Sequence, residues 1–301
     1  MPDKLKLPLR IRIQRLTIFA LVVSLVAYLG VNAGMAWMYI SAFTKPGCNL
    51  APPVLEAIPA AQEHLLLTED GLRLRAWYYP SQNGATVLSL GGTGGSLGAA
   101  LPEVGFLIRQ GYGVLQIDSR ACGQPPGRVT LGAKEVLAAK AGLDFLLERP
   151  ETRRIGAIGF SMGGATAIRA AARYLEIEAV VAEGGFFNLG KDMTEPDLPK
   201  PFLQAVLLYT IAGFYWLQTG ENPWQVSPVD DLPNISPRPV LLIYGEHELE
   251  DGRAYLQYAA AKEPKELWVV PGGGHGRNYK VASQEYERRV SDFFNQALLS
   301  P

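Results

Sequence analysis

The pentapeptide Gly159-Phe160-Ser161-Met162-Gly163 lies between the apolar run Ile155-Gly156-Ala157-Ile158 and a stretch with a small-residue face (Gly163, Gly164, Ala165, Ala167, Ala170, Ala171). A serine with glycine two positions to either side suits a chain that leaves a strand and enters a helix through a very tight bend, where side chains at the flanking positions would collide. Such a bend exposes the serine hydroxyl and turns the next backbone N–H toward the same space. The small face then lets the helix lie close on a sheet. Short motifs also arise by chance, and the chain holds a second match, Gly94-Gly95-Ser96-Leu97-Gly98. Ser96 falls several residues past its strand, among four glycines, and reads as a loop hydroxyl.

Around this unit, strand and helix patterns alternate. Leu65–Glu69 and Leu72–Tyr79 flank the turn Asp70-Gly71 and read as a hairpin. Strand-like runs follow at 86–90, 113–117, 154–159, 179–182, 240–244 and 267–270, separated by helical stretches at 98–109, 131–149, 162–174, 252–262 and 281–299. Short Val/Ile/Leu runs without alternation suit strands buried on both faces of a parallel sheet. The expected fold class is α/β: a mostly parallel, doubly wound sheet with a leading antiparallel hairpin. With 301 residues, 48% of them hydrophobic, the chain can bury one large core. The interval 186–237 breaks the rhythm and carries the uncharged, apolar segment Phe202–Leu217. A second membrane span would put Ser161 and His275 on opposite sides of a bilayer, so a small helical cap is expected there.

The first 61 residues differ in kind. Residues 1–15 carry Lys4, Lys6, Arg10, Arg12 and Arg15 and read as a basic cytoplasmic tail. Residues 16–44 are uncharged and long enough to cross about 30 Å of hydrocarbon as a helix, and Trp37, Tyr39 and Phe43 suit an interfacial aromatic belt. The reading is a single-pass signal anchor with everything after Thr44 on the extracytoplasmic side. A cleaved signal peptide is the rival, but its apolar region is usually only about 7–15 residues. Residues 45–61, with Pro46, Pro52, Pro53 and Pro59, read as a linker, and 62–301 as the globular domain. A net charge of −1 and the lack of a basic stripe in that domain give no reason to expect nucleic acid as a partner. Cys48 and Cys122 are too few for a disulfide framework or a metal cluster and are expected to be two separate thiols, a single bond between them in an oxidising compartment being the alternative.

Three histidines limit the choice of a base for Ser161: His64, His247 and His275. His275 lies in Pro271-Gly272-Gly273-Gly274-His275-Gly276, just after the last strand-like run, where a loop can reach back over a sheet edge. His64 lies on the leading hairpin and His247 among acids, and both are assigned structural or solvent-facing places. A carboxylate that orients the imidazole should follow the strand at 240–244, where Glu246, Glu248, Glu250 and Asp251 crowd. Glu248 gives the chain order serine, acid, histidine. The glycine loop after the run at 86–90 can present backbone N–H groups, so Thr93 and Met162 are the expected oxyanion donors.

Five ordered segments carry a resemblance: 90–95, 116–123, 159–164, 239–248 and 271–276. From about Leu65 onward the chain resembles the α/β-hydrolase superfamily, in particular its small-capped serine hydrolases of the Bem46 and dienelactone-hydrolase-like kind. The resemblance implies the α/β-hydrolase fold and a triad of Ser161, Glu248 and His275, the acid falling three residues after the glycine that ends its strand. Aspartate is commoner at that place, and Asp251 is the alternative acid. The family's frequent His-Gly pair is Gly91-Gly92 here, and its usual Arg-Gly is Arg120-Ala121. The expected activity is hydrolysis of a carboxylic ester with a hydrophobic acyl group, through an acyl-enzyme, with no metal and no organic cofactor. A thioesterase, amidase or peptidase would use the same groups, whereas an epoxide hydrolase or dehalogenase would need a carboxylate at Ser161. A membrane-tethered binding protein that kept the architecture without catalysis is the competing class. The oligomeric state is open.

Overall fold

The computed structural model describes residues 8–48, 61–94, 97–98, 101–195, 202–250 and 252–300. Ser96, Asp251 and most of the expected linker lie outside the described residues.

A long helix, α1 (Leu9–Thr44), comes first, then the strands β1 (Gln62–Leu67), β2 (Arg73–Tyr79) and β3 (Ala85–Leu90). Alternation follows: α2 (Leu101–Arg109), β4 (Gly113–Ile117), α3 (Glu135–Leu147), β5 (Arg154–Phe160), α4 (Met162–Arg173) and β6 (Ile177–Glu183). The helices α5 (Leu189–Thr194), α6 (Phe202–Thr219) and α7 (Pro228–Asp231) fill the interval before β7 (Val240–Gly245). The chain closes with α8 (Arg253–Ala260), β8 (Lys265–Val270), α9 (Asn278–Val281) and α10 (Ser283–Phe294). The eight strands form one sheet in the order β1-β2-β4-β3-β5-β6-β7-β8. β1 and β2 pair antiparallel, as do β2 and β4, and the remaining pairs are parallel.

The hairpin closes where it was expected: the Thr68 N–H donates to the Leu72 carbonyl (2.9 Å), and Gly71 takes φ +86°. Central strands bury both faces. Leu88, Leu115 and Ala157 pack toward Leu143 and Ile168 of α3 and α4. Val87, Val114, Ile158 and Val181 pack toward Phe106, Val290 and Phe294 of α2 and α10. Each such Val, Leu, Ile or Phe side chain contributes about 1.5–3 kcal/mol by leaving water, which explains unbroken apolar runs without alternation.

α1 is one continuous helix of 36 residues, long and apolar enough to cross a membrane by length and composition. Most of it is exposed, yet Asn32, Ala36, Ile40 and Thr44 are buried. Their spacing of four puts them on one face, which docks on the domain. α6 runs beside this part of α1 in the same direction. The Tyr28 hydroxyl donates to the Leu203 carbonyl (2.7 Å), Trp37 meets Phe214 edge-on at 5.6 Å, and the Thr44 hydroxyl donates to Gln218 Oε1 (3.0 Å). α6 is also held to the domain by Tyr215, whose hydroxyl donates to the Thr130 carbonyl (2.6 Å).

The expectation of two separate thiols is corrected. Cys48 and Cys122 form a disulfide, 74 residues apart in sequence. The pairing depends on α1 returning its end to the turn after β4, a tertiary contact that no local pattern announces. The Val129 N–H donates to the Thr44 carbonyl (3.0 Å) close by. Closing so long a loop restricts the unfolded chain, so replacing both cysteines by serine is expected to cost about 2–5 kcal/mol. A thermal melt of the two proteins in the same detergent checks this, and equal midpoints would mean the bond contributes nothing.

Candidate active site

β5 ends one residue before Ser161 and α4 begins one residue after it. Ser161 sits at φ 55°, ψ −119°, a conformation that L-residues rarely adopt. The flanking glycines make it possible. A Cβ on Gly159 would stand 2.1 Å from the Gly163 carbonyl oxygen, and one on Gly163 would stand 1.9 Å from the Leu90 carbonyl oxygen. The bend is fixed from the neighbouring strand, where the Glu183 carbonyl accepts the Ser161 N–H (2.8 Å).

His275 arrives from the loop after β8 and Glu248 from the turn after β7. The Ser161 hydroxyl oxygen lies 3.0 Å from His275 Nε2, and His275 Nδ1 lies 2.8 Å from Glu248 Oε1. An ionised carboxylate only accepts, so Nδ1 carries the proton in the neutral ring and Nε2 is left to accept from the serine. The two loops interlock: a Cβ on Gly245 would stand 2.2 Å from the Gly274 nitrogen, so glycine is required where they cross. The ring of Phe160 packs beside the imidazole at 4.9 Å.

Of the residues expected at the site, Ser161, Glu248 and His275 are thus within hydrogen-bonding reach of one another. Thr93 and Met162 border the same cavity as Ser161. The Met162 N–H is the first of α4, so no carbonyl one turn back is there to receive it. His247 and His64 stand elsewhere: His247 is exposed, and His64 packs on Phe145 at 4.6 Å. Glu246 is exposed and accepts the Gly272 N–H. Among the described residues no group of three or more His, Cys, Asp and Glu could hold a metal ion.

Two residues behind the histidine were not legible in the sequence. Asn278 donates to Glu183 Oε1 (3.0 Å) and, at 3.4 Å, to Glu248 Oε2. Glu183 is buried and also accepts from the Tyr286 hydroxyl (2.8 Å). Burial, helped by the charges of Glu103 and Glu248 and opposed by the Tyr286 and Asn278 hydrogen bonds, pushes the Glu183 carboxyl up to about 7. An acid at the end of a buried strand was the only available signal. Burial works against ionisation of Glu248, but the hydrogen bonds from His275, the Gly245 N–H and Asn278 outweigh it and hold its pKa below the usual value. His275 is raised, first by its hydrogen bond to Glu248, against burial, and then by the charges of Glu248 and Glu183.

The cavity at Ser161 has a volume of about 520 Å³ and is lined mainly by apolar side chains, among them Leu131, Phe186, Leu208 and Ile211. A second, more polar recess of about 340 Å³, lined by Arg253, Gln257 and Tyr244, opens on the side of His275 and Glu248.

The sequence profile described as the alpha/beta hydrolase family matches residues 75–289. The chain belongs to the α/β-hydrolase family. This hydrolase is 26% identical to the uncharacterized protein YfhR of Escherichia coli K12 over 247 residues, 76% of this chain and 79% of that one. It is 28% identical to the uncharacterized protein Rv2307c of Mycobacterium tuberculosis over 244 residues, 76% of this chain and 78% of that one. Among solved structures it is similar to the Pyrococcus furiosus esterase Pf2001, with a TM-score of 0.68 at 29% identity, covering 85% of this chain and 98% of that one.

The charge arrangement predicts how His275 titrates. A negative charge at Glu183 stabilises the imidazolium, so Glu183→Gln should lower the His275 midpoint from its raised wild-type position. Glu248→Gln should lower it further. Histidine-selective NMR titration checks this, and identical midpoints in all three proteins would contradict it.

Proposed function

We propose that this hydrolase is a serine hydrolase that cleaves carboxylic esters of hydrophobic acids through an acyl-enzyme. The observation that carries the reading is the continuous relay from Ser161 Oγ to His275 Nε2 and from Nδ1 to Glu248, set at the mouth of an apolar cavity. His275 takes the serine proton as Oγ attacks the ester carbonyl, while Glu248 holds the tautomer and stabilises the imidazolium. The N–H groups of Met162 and Thr93 receive the developing oxyanion. The imidazolium returns its proton to the leaving alkoxide, and water, activated by the same histidine, then releases the acid. The likeness to an esterase at 29% identity supports an ester as the scissile bond.

Two further features belong to this reading. α1 is a single-pass membrane anchor, supported by its length, its uncharged run and the basic residues that precede it. The domain lies on the extracytoplasmic side. The Cys48–Cys122 disulfide supports that side, since such bonds persist in oxidising compartments.

Ser161→Ala should lower kcat on p-nitrophenyl butyrate by about 10³-fold or more and abolish labelling by a fluorophosphonate probe. Retained turnover would remove Ser161 from the mechanism, and an unlabelled, inactive wild type would favour a non-catalytic binding protein. Because only neutral imidazole accepts the serine proton, kcat/KM should rise with pH through the His275 pKa, with its midpoint raised above that of an ordinary histidine. A pH–rate profile flat between pH 5.5 and 8 would contradict a histidine base.

A further inference from the structure

The cavity wall has an unexpected member. Besides residues of the domain, it is lined by Met35, Tyr39, Ile40 and Phe43, all on α1. A helix that served only as a tether would need no fixed contact with the site it carries. This one is fixed from end to end of its last four turns. Asn32, Ala36, Ile40 and Thr44 are buried against the domain, and Gln218 of α6 bonds Ser41 and Thr44 while accepting from Arg128 (3.2 Å). The disulfide at Cys48 ties down the chain four residues beyond the helix.

The level of these contacts along α1 is informative. Crossing hydrocarbon takes about 20 residues, which, counted from Leu16, ends near Met35. The cavity residues therefore begin where the hydrocarbon ends. α6 starts beside Tyr28, about two turns deeper, and its outward side chains Phe202, Leu203, Tyr209, Trp216 and Leu217 are exposed and uncharged. A surface of that kind, continuous with an apolar helix, suits lipid rather than water. The site thus has an apolar chamber that starts at the membrane boundary and borders Ser161, and a more polar recess that borders His275, the two sharing Phe186 and Asp192 in their walls.

Resting on the proposed ester hydrolysis, we infer that α1 is a substrate-binding element: the hydrolase takes long-chain acyl esters resident in the bilayer, seating the acyl chain against Met35, Tyr39, Ile40 and Phe43 and the polar part of the ester toward the recess beside His275 and Glu248. The chain passes from the outer leaflet along α1 and α6 without crossing water. Specificity for acyl length is set by the membrane helix as much as by the domain.

The test reads kcat/KM for p-nitrophenyl dodecanoate against butanoate in detergent. Each buried methylene should raise the ratio about fourfold until the cavity is full. Met35→Trp, which fills the chamber, and Phe43→Ala, which removes part of its wall, should each lower the dodecanoate-to-butanoate ratio at least tenfold. Met38→Trp, on the exposed face of α1, should leave the ratio within twofold of wild type. Fluorophosphonate labelling of every variant reports that Ser161 is still in a folded site. Ratios unchanged in both Met35→Trp and Phe43→Ala, with labelling and Ser161-dependent turnover intact, would overturn the inference while sparing the ester-hydrolase reading. Loss of Ser161-dependent turnover in wild type would instead strike that reading. The source of the substrate is tested with a slowly exchanging diacylglycerol ester in phosphatidylcholine vesicles. Hydrolysis at least tenfold faster when ester and protein share vesicles supports uptake from the bilayer, and equal rates from shared and separate vesicles would overturn it.

Discussion

The close approach of backbone at Gly159 and Gly163 is the constraint on which the rest of this molecule depends. No side chain fits between β5 and the first turn of α4. The sheet, the helix and the loop after β3 can therefore come within van der Waals contact only because the sequence supplies glycine at both places. Ser161 is left in a backbone conformation it would not choose. The strain is borne by the packed core on either side, which explains why the site stands at the centre of the sheet and not at its edge.

The neighbouring elements build outward from that bend. β6 fixes the serine backbone through the Glu183 carbonyl, and the Glu183 side chain turns back under the histidine loop to meet Asn278 and Tyr286. β7 and β8 deliver Glu248 and His275 from loops that cross where Gly245 meets the Gly274 backbone, and at Gly245 again only glycine fits. A buried carboxyl near neutrality behind a raised histidine means that the protonation of one depends on the other. The electrostatics of the site extend one layer deeper than the three residues that meet at the cavity.

Much of the fold could be read from the chain because its signals are local. Apolar runs without alternation mark strands covered on both faces, the Asp70-Gly71 turn marks the hairpin, and the small face after Ser161 marks a helix lying close on a sheet. Ser161 and His275 could be picked out for a similar reason: each comes soon after a strand, and the C-terminal ends of parallel strands lie on one side of the sheet. Glu248, by contrast, was singled out from four neighbouring acids by the family resemblance. Asn278 and Glu183 were not legible, since nothing in an Arg-Asn-Tyr or Val-Ala-Glu stretch distinguishes a residue beneath an active site from an ordinary cap or core acid. The two cysteines were misread because their pairing is a distance in space, and 74 residues of intervening chain conceal it.

The sequence by itself determined the element types, the position of the bend and the residues able to carry acid–base chemistry, because backbone sterics and hydrophobic periodicity act over a few residues. It also determined that the first helix is apolar enough to enter a membrane. Only the tertiary structure decided that the end of this helix packs beside α6, is bonded through Cys48 to Cys122, and becomes a wall of the cavity beside Ser161. Docking of two helices depends on the shape of both surfaces at once, and a pattern read along one strand of sequence contains only half of that information.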